Sequence, residues 1–278
     1  MEETSIPVLY DTRLFTRIWS PARFPAGIVC LVHGLSDHGG RFVHVAEALA
    51  AKGYAFIAPD LRGNGRSPGR RGHFNSLQEV MTDLKLILKD ARDRFPGLPV
   101  FLYGQSMGGS LVINFVLRFP EEVDGIISSS PWLRLAKPPS GFTVAAASLL
   151  KPFFPSALVP NGIKSADLCH DESVQHAYEI DPLIHWKISV RTFFIIQKYG
   201  EWAIQHAGML KKPVLLMHGD ADRITSYKAS RDFASASNNH LNFKGWPGLF
   251  HELHNEPARD EVLAYVSDWL DRCRFRRL

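Results

Sequence analysis

Residues 100–110 read Val-Phe-Leu-Tyr-Gly-Gln-Ser-Met-Gly-Gly-Ser, and this stretch decides the expected fold. The first four residues form an unbroken apolar run, which is typical of a strand buried on both faces of a parallel sheet. Residues 111–117 then carry apolar side chains at helical spacing. Between them, the pattern Gly-x-Ser-x-Gly centred on Ser106 predicts a sharp strand-to-helix turn with an exposed, strained hydroxyl. Because so short a pattern also occurs in ordinary glycine-rich turns, a nucleophilic serine needs a base, an acid and oxyanion donors elsewhere.

The composition predicts a soluble globular chain without a metal or a cofactor. The 278 residues are 45% hydrophobic and 22% charged, which is enough to bury a large core. The three cysteines are too few and too scattered for a disulfide network or a zinc site. The net charge is +4, and the basic side chains are dispersed apart from residues 70–71 and 272–277, so we expect no nucleic-acid partner. The glycine-rich residues 59–69 lack the Gly-Lys-Ser/Thr of a phosphate-binding loop.

On either side of the serine turn, predicted strands alternate with amphipathic helices. Apolar runs predict further strands at residues 14–19, 28–32, 54–58, 125–127, 213–217 and 240–243. Helical spacing and capping signals predict helices at residues 40–51, from Ser76 to before Pro96, at residues 227–236 and from Pro257 onward. Such alternation implies an α/β fold with a mostly parallel central sheet and helices on both faces.

The alternation stops at Trp132, and residues 132–208 show no convincing strand. We expect this segment to be a helical cap, inserted between core segments 1–131 and 209–278. Its first half is apolar nearly all round, and residues 188–209 have the pattern of an amphipathic helix. A helix that is apolar on all sides must be buried or must contact an apolar ligand or a membrane. We therefore expect part of the cap to line a ligand pocket and to permit transient membrane contact.

No run of residues is long enough to cross a bilayer. The most apolar one, residues 142–150, falls well short of the ~20 residues that a membrane-spanning helix needs. Residues 1–7 carry acidic side chains and lack the apolar segment of a signal peptide. A cytoplasmic protein, peripheral at membranes if it contacts them, is therefore the expectation.

Two residues downstream of the serine have the chemistry and the chain order of its catalytic partners. On an α/β sheet a serine nucleophile is followed by an acid and then by a histidine, each in a loop after a strand. Asp222 and His251 occupy these places. His251 would take the proton of Ser106, while Asp222 would orient the imidazole and stabilise its cation. The expected oxyanion donors are the N–H groups of Met107 and Leu35.

Each predicted partner has a rival in the sequence. Asp220 shares the loop of the favoured acid but lies nearer the strand end, where it suits a turn or a helix cap. His254 lies three residues beyond the favoured histidine and is the other candidate base. Asp60 precedes the serine and so has the wrong order, and His33 is expected to support its loop as a structural histidine.

Five longer motifs carry a resemblance to a known family. They are His-Gly-Leu-Ser-Asp-His-Gly-Gly-Arg at 33–41, Gly-Gln-Ser-Met-Gly-Gly at 104–109, Asp-Pro-Leu at 181–183, Gly-Asp-Ala-Asp-Arg at 219–223 and Phe-His-Glu-Leu-His-Asn-Glu at 250–256. On these motifs the chain resembles the monoacylglycerol lipase group of the α/β-hydrolase superfamily over nearly its whole length, most weakly in the cap. The resemblance implies the same triad and oxyanion donors. It also implies that Arg41, Tyr178, His254 and Asp37 hold the glycerol end of a substrate.

The chain departs from the family pattern at four positions. Leu35 is bulkier than the small residue often found there, and Asp37 is shorter than the glutamate of some relatives. Asn64 replaces the usual histidine of the glycine-rich loop, a position that we expect to be remote from the chemistry. Thr225 stands where certain relatives carry a cysteine near the acid, so we expect thiol reagents not to inhibit through it.

Together, the resemblance and the apolar cap predict a serine hydrolase that cleaves the ester bond of monoacylglycerols to fatty acid and glycerol through an acyl-enzyme. Within enzymes, the alternatives are a broad carboxylesterase, a lysophospholipase and an aminopeptidase of the same superfamily. From another class, the alternative is a non-catalytic receptor with this fold, which would gain nothing from three intact catalytic groups.

Overall fold

The computed structural model describes residues 1–275, and a mixed sheet forms its centre. The strands are β1 (Glu2–Pro7), β2 (Arg13–Trp19), β3 (Gly27–Val32), β4 (Tyr54–Pro59), β5 (Val100–Gln105), β6 (Gly125–Ser129), β7 (Leu158–Pro160), β8 (Lys187–Ser189), β9 (Val214–Gly219) and β10 (Leu241–Trp246). Eight of them form one sheet in the order β1-β2-β4-β3-β5-β6-β9-β10. The pairs from β4 to β10 are parallel, and β1 and β2 join antiparallel at one edge. The predicted mostly parallel sheet is confirmed.

Helices cover both faces of this sheet. The α-helices are α1 (Val43–Ala51), α2 (Leu77–Arg94), α3 (Met107–Arg118), α4 (Gly141–Leu150), α5 (Glu172–Ile180), α6 (Val190–Gln205), α7 (Tyr227–Ala236) and α8 (Arg259–Phe275). Short 3₁₀ turns occur at Gly39–Phe42, Pro120–Glu122, Ser165–Asp167, Ala207–Met209 and Leu253–Asn255. Side chains of α2, α3, α6 and α7 belong to one apolar cluster, and those of α1 and α8 belong to another.

The central strands explain why their sequences are apolar without interruption. Every residue of β3, β4 and β5 is buried. Along β3, Cys30 faces the first cluster, whereas Val29 and Leu31 face the second, because successive side chains of a strand point to opposite faces. A strand covered by helices on both faces has no solvent-exposed face, so its sequence does not alternate between apolar and polar residues.

The edges of the structure differ from the sequence prediction. β1 was not predicted, because the segment Glu-Glu-Thr-Ser-Ile-Pro buries only Ile6 and its other side chains are exposed or half-buried. Within the insertion, the expectation of no strand is wrong, since β7 and β8 pair antiparallel. Each of these two strands has only three residues, which is too short for an alternating pattern to be recognisable.

The parallel strands place the candidate site residues at one edge of the sheet. Because β3, β5, β9 and β10 run the same way, the loops after their carboxyl ends meet there, as is general for parallel sheets. These loops carry Leu35, Ser106, Asp222 and His251. The insertion leaves the sheet after β6, next to β5, and so lies close to the serine turn.

Within residues 1–275 no helix combines the length and the apolarity that crossing a membrane would require. The basic residues Arg276 and Arg277, which belong to the predicted charged tail, lie outside the described part of the chain.

Gly108 gives a direct test of how closely α3 packs on β3. A Cβ atom added at this glycine would lie 1.7 Å from the carbonyl oxygen of Val32, which is backbone and has little freedom to move. We expect Gly108→Ala to prevent folding or to lower the free energy of unfolding by more than about 3 kcal/mol, at the upper end of overpacking costs. Urea unfolding followed by circular dichroism measures this change.

Gly141→Ala is the matched control, because no atom lies within 4 Å of the added Cβ and its backbone is not strained. An unfolding curve for Gly108→Ala that overlays that of the parent protein would contradict the packing shown here.

Candidate active site

Ser106 lies at the turn between β5 and α3 in a backbone conformation that few residues adopt. Its φ is 57° and its ψ is −117°, a region that costs energy for any residue with a side chain. The turn is held by the end of β6 and the residues after it. Ser106 N–H donates to the carbonyl of Ser129 (2.9 Å), and the Ser106 carbonyl accepts from Trp132 N–H (2.9 Å). The neighbouring chain therefore stabilises a strained backbone at the candidate nucleophile.

Asp222 is surrounded by hydrogen-bond donors in the loop after β9. Its Oδ1 accepts from the N–H groups of Ile224 (2.7 Å) and Thr225 (3.0 Å). Its Oδ2 lies 2.8 Å from His251 Nδ1 and 3.0 Å from His218 Nε2. Burial opposes ionisation of this carboxyl, but the two histidines outweigh it and hold its pKa well below the ordinary range. The carboxylate is therefore charged at neutral pH.

His251, in the loop after β10, is paired with the acid through the nitrogen expected for a catalytic base. Nδ1–H donates to Asp222, which leaves Nε2 to accept a proton. Burial disfavours the imidazolium, yet the charge of Asp222 and the hydrogen bond to it outweigh burial and raise the pKa of His251. No hydrogen bond joins Ser106 to His251 among the described residues. Such bonds commonly tighten only when substrate binds, and the catalytic roles stay predictions.

His218 is a site residue that the sequence did not reveal. It lies at the end of β9 and is completely buried. Its Nδ1 lies 2.7 Å from the hydroxyl of Ser230, so its Nε2–H donates to Asp222. Asp222 thus accepts from two imidazoles at the same oxygen atom. The spacing of four residues between His218 and Asp222 is the only sequence signal of this contact, and it is a weak one.

Two of the sequence rivals have other tasks in the structure. Asp220 is exposed, and its Oδ1 accepts from Gly248 N–H (2.7 Å) in the loop after β10, so it joins two loops and does not cap a helix. His33 is completely buried; its Nε2 accepts from Leu61 N–H (2.8 Å), so its Nδ1–H donates to the carbonyl of Gly34 (2.8 Å). His33 therefore supports its loop, in line with the interpretation from the sequence.

The other two rivals are also engaged elsewhere. The carboxylate of Asp60 accepts from Arg17 Nη1 (3.1 Å) and from Gly39 N–H (2.8 Å). His254 is fully buried and stacks on Phe42, with ring centroids 4.5 Å apart. Burial lowers the pKa of His254 to about 3. It has no hydrogen bond to Asp222 within residues 1–275, so the geometry favours His251 as the base.

Two backbone N–H groups near the serine turn have no hydrogen-bond acceptor among the described residues. Among residues 1–275, neither Leu35 N–H nor Met107 N–H donates a hydrogen bond, and Met107 opens α3, where helix N–H groups are free. The loop of Leu35 also approaches the turn closely. A Cβ on Gly34 would lie 2.6 Å from Gln105 Oε1 and 3.3 Å from Ser106 Cβ. The predicted oxyanion donors are therefore free and close to the nucleophile.

The four predicted glycerol-binding residues lie together but away from any open surface. Arg41 forms a bidentate ion pair with Glu252 (2.7 Å and 2.7 Å), contacts Asp37 Oδ1 (3.2 Å) and lies over the ring of Tyr178 (4.7 Å). Together with His254, these side chains are largely or fully buried. None of the four predicted residues borders the large cavity beside the serine. Their direct contact with glycerol stays a prediction that this geometry does not support.

A cavity of about 830 Å³ opens beside Ser106. Core residues Leu35, Ser106 and Thr225 border it, and the insertion supplies most of its wall. The apolar side chains of the wall are Trp132, Leu135, Pro139, Val144, Ala147, Val159, Pro160, Ile163, Ile188, Val190, Phe193, Phe194 and Ile224. The charged ones are Lys137, Lys164, Asp167 and Arg223. The insertion lines a pocket at the serine, as the sequence indicated.

Asn64 corrects one expectation from the sequence. Its side-chain oxygen lies 3.1 Å from His185 Nε2, and the other ring nitrogen of His185 lies 3.1 Å from the hydroxyl of Ser36. Ser36 follows Leu35 directly, so Asn64 is two hydrogen bonds from an oxyanion-donor loop. It is therefore not remote from the site.

The sheet order, the strained serine after β5 and the His251–Asp222 pair after later strands together define the α/β-hydrolase fold. The class predicted from the sequence is confirmed.

Comparisons with known proteins agree with this class. Residues 23–258 match the family described as serine aminopeptidase S33, and the chain belongs to this family. It is 34% identical over 272 residues to the monoacylglycerol lipase of Mycolicibacterium smegmatis, covering 96% of each protein. It is 32% identical over 258 residues to phospholipase YtpA of Bacillus subtilis, covering 91% of this chain and 98% of that protein.

A solved structure supports the same relationship. The crystal structure of Paleococcus ferrophilus monoacylglycerol lipase matches with a TM-score of 0.85 and 31% identity, over 94% of this chain and 99% of that one. The resemblance to the monoacylglycerol lipase group is therefore confirmed.

The charge of Asp222 gives a prediction about pH. Because a general base must be neutral, kcat/KM should be lost as pH falls through the raised pKa of His251, with a midpoint above 6.5. Asp222→Asn removes the charge that raises this pKa, so the midpoint should move to lower pH. The plateau rate should fall roughly 10⁴-fold, as in other triads that lose the acid's charge. Rate profiles between pH 4 and 9, measured with a water-soluble short-chain ester, test both effects.

Asp220→Asn is the matched control, since this carboxyl is exposed and the asparagine oxygen can still accept from Gly248 N–H, so its profile should equal that of the parent. A midpoint unchanged in Asp222→Asn would contradict the proposed electrostatic role.

Proposed function

We propose that the protein is a serine hydrolase that cleaves the ester bond between a fatty acyl chain and glycerol in monoacylglycerols. The observation that carries the proposal is the position of Ser106, which borders a mostly apolar cavity while His251 and Asp222 stand paired at the same edge of the sheet. Relatives named monoacylglycerol lipase, covering nearly the whole chain, support the choice of substrate.

The first half-reaction transfers the acyl group to the serine. The Ser106 oxygen attacks the ester carbonyl carbon while His251 Nε2 takes the serine proton. The negative charge that develops on the carbonyl oxygen is stabilised by the N–H groups of Leu35 and Met107. When the bond to glycerol breaks, His251 returns the proton to the leaving oxygen, and glycerol departs.

The second half-reaction releases the fatty acid. Water takes the place of glycerol, and His251 removes a proton from it as it attacks the acyl-enzyme. The same two N–H groups stabilise the second tetrahedral intermediate. Its collapse breaks the bond to Ser106, whose oxygen takes the proton from His251, and frees the acid. Asp222, which stays ionised, stabilises the imidazolium in both halves.

The buried residues around Arg41 are proposed to act on the base and not on glycerol. The Arg41–Glu252 ion pair connects the Gly39–Phe42 turn to the loop that carries His251. Glu252 and Asp37 also add to the charge that raises the pKa of His251. This arrangement fixes the position of the imidazole. Tyr178, under the guanidinium, completes the packing of the cluster.

A panel of esters tests the substrate proposal. Each CH₂ group that is buried contributes roughly 0.8 kcal/mol, so kcat/KM should rise by about fourfold per added methylene until the acyl chain fills the cavity. We expect monoacylglycerols of medium or long chain to be hydrolysed faster than diacylglycerols. Ser106→Ala should lose both this activity and covalent labelling by a fluorophosphonate. Turnover of short synthetic esters without turnover of any monoacylglycerol would reject the substrate. Absence of labelling would reject the hydrolase.

A lysophospholipid is the second candidate substrate, favoured by the charged residues of the cavity. Lys137 and Lys164 border the cavity and form no ion pair within the described chain. Arg223, the third cation, lies 3.6 Å from Asp167. A phosphate headgroup would find two uncompensated cations there, and a relative is named phospholipase. In the same panel, hydrolysis of a lysophospholipid that exceeds that of the matched monoacylglycerol, and that falls in Lys137→Glu/Lys164→Glu, would favour this alternative.

We also propose that the insertion contacts membranes peripherally. Four large apolar side chains of the insertion are exposed to solvent: Phe142 by 85%, Leu149 by 76%, Phe153 by 77% and Phe154 by 62%. A grouping of exposed apolar side chains in one segment is typical of a membrane or protein contact. Contact at this segment would bring the cavity near the bilayer that holds the lipid.

Substitution of two of these aromatic residues tests the membrane contact. We expect Phe142→Asp/Phe153→Asp to reduce sedimentation with phosphatidylcholine vesicles several-fold, because charged side chains resist insertion between lipids. Hydrolysis of a water-soluble ester should be unchanged. Phe24→Asp is the control, since Phe24 is 74% exposed but lies in the core segment. Equal sedimentation of the three proteins would reject the contact.

A further inference from the structure

The hydroxyl of Ser36 joins the insertion to the loop that carries Leu35. Two residues of the insertion contact it: Asn161 Nδ2 lies 3.0 Å from Ser36 Oγ, and His185 Nδ1 lies 3.1 Å from the same atom. On its far side, His185 Nε2 lies 3.1 Å from Asn64 Oδ1, in the glycine-rich loop of the core. Asn64 Nδ2 then donates to the carbonyl of Arg62 (3.0 Å).

The donors and acceptors in this series of hydrogen bonds can be assigned consistently. Because Asn64 Oδ1 can only accept, His185 Nε2 carries the proton and Nδ1 of the neutral ring is an acceptor. The Ser36 hydroxyl therefore donates to His185 and accepts from Asn161. Burial and the charge of Arg71 lower the pKa of His185 to about 4, which agrees with a neutral ring. In this series, Ser36, His185 and Asn64 each have a donor or an acceptor that fits the assignment.

Ser36 is also held in an unfavourable backbone conformation. Its φ is +60°, in the left-handed region, and its side chain is completely buried. For a residue with a Cβ this conformation costs on the order of 1 kcal/mol or more, so it persists only where surrounding contacts hold it. Within residues 1–275, the hydrogen bonds of the Ser36 side chain are those with Asn161 and His185.

The loop is fixed independently on the other side of Leu35. His33 Nδ1–H donates to the carbonyl of Gly34 (2.8 Å), and Gly34 packs against Gln105 and Ser106. The core thus holds the residue before Leu35. His33 thus fixes the peptide plane that contains the Leu35 N–H, and the insertion holds the residue that follows, so the placement of Leu35 in the loop depends on both.

Asn161 and His185 come from the same end of one small element. Asn161 follows β7, and His185 precedes β8, with which β7 pairs. Asn161 N–H donates to the carbonyl of Trp186 (3.0 Å), which ties the two segments together. Asn161 also borders the cavity. Asn161 therefore both lines the cavity and contacts the loop that carries Leu35.

We propose that Asn161 and His185 are positioning residues that hold Ser36 in its left-handed conformation and thereby fix the position of the loop from which the Leu35 N–H would reach the developing oxyanion. The proposal rests on the proposed hydrolase function and on Leu35 as an oxyanion donor. It assigns to the insertion a part in catalysis as well as in substrate binding. Displacement of the β7–β8 pair from the core would release Ser36 and weaken the oxyanion site.

Kinetics on a short water-soluble ester isolate this role. Such a substrate uses the oxyanion site but leaves most of the cavity empty, so changes in acyl binding have little influence. We expect Ser36→Ala, Asn161→Ala and His185→Ala each to lower kcat by about 10- to 100-fold, within the range for a misplaced or lost oxyanion donor. KM should change less than about threefold. The rate of labelling by a fluorophosphonate should fall in parallel with kcat.

Three further variants separate positioning from general damage. Ser36→Gly lacks the hydroxyl but adopts positive φ without strain, so it should recover part of the rate lost in Ser36→Ala. The double variant Ser36→Ala/His185→Ala should be no slower than the slower single variant, because both changes break one chain of contacts. His176→Ala, at an exposed histidine of α5, should behave as the parent protein. Thermal melting of each variant verifies that it is folded.

The possible results are distinct. Folded variants with the kcat of the parent, losses that appear in KM alone, or losses in Ser36→Ala and His185→Ala that multiply in the double variant would each overturn the proposal. A parent protein that hydrolyses short esters but no monoacylglycerol would reject the proposed substrate and leave this test intact. A parent protein inactive on every ester would overturn both.

Discussion

The structure depends on the close contact between the start of α3 and the end of β3. Gly108 leaves room for the carbonyl of Val32, and Gly34 leaves room for the turn at Ser106. Without side chains at these positions, helix and strand approach until the loop of Leu35 lies against the turn of Ser106. At this contact Ser106 adopts positive φ. The hydrogen bonds from Ser129 and Trp132 then hold that conformation. Close packing thus creates the strain, and the neighbouring strand stabilises it.

A second constraint is the buried negative charge of Asp222. A carboxylate without water around it needs several donors, and this one receives two backbone N–H groups, the hydroxyl of Thr225 and two imidazoles. The shared oxygen atom orients His251, while His218 Nε2–H donates to the same atom. Around His251, the pair of Arg41 and Glu252 supplies further buried charge. Asp222 therefore orients His251, and Glu252 and Asp37 contribute to its raised pKa.

The sequence predicted the features that depend on local patterns or on chain order. Buried strands appear as apolar runs, and the order of Ser106, Asp222 and His251 follows from the topology of a parallel sheet. Contacts between distant segments leave no such pattern. Nothing near Ser36 indicates that residues 125 and 149 positions further along the chain bind its hydroxyl. The same holds for Arg41, whose partner Glu252 is 211 positions away. Glycerol contact was inferred from resemblance, whereas burial of that cluster follows from tertiary packing.

The hydrogen bond from Trp132 to Ser106 has a consequence for exchanging insertions between relatives. The predicted boundary of the insertion lies between residues 131 and 132, yet Trp132 N–H is bonded to the nucleophile's own carbonyl. Leu133 packs closely against Gly200 of α6. A Cβ added at Gly200 would lie 2.1 Å from the carbonyl oxygen of Leu133. A chimera cut at the boundary would thus take the N–H that holds the Ser106 carbonyl from the donor protein, and a proline at that position would lack it. Joining the two proteins after Leu133, and keeping Gly200 or an equivalent glycine in the donor, would transfer substrate preference while leaving the hydrolytic centre intact.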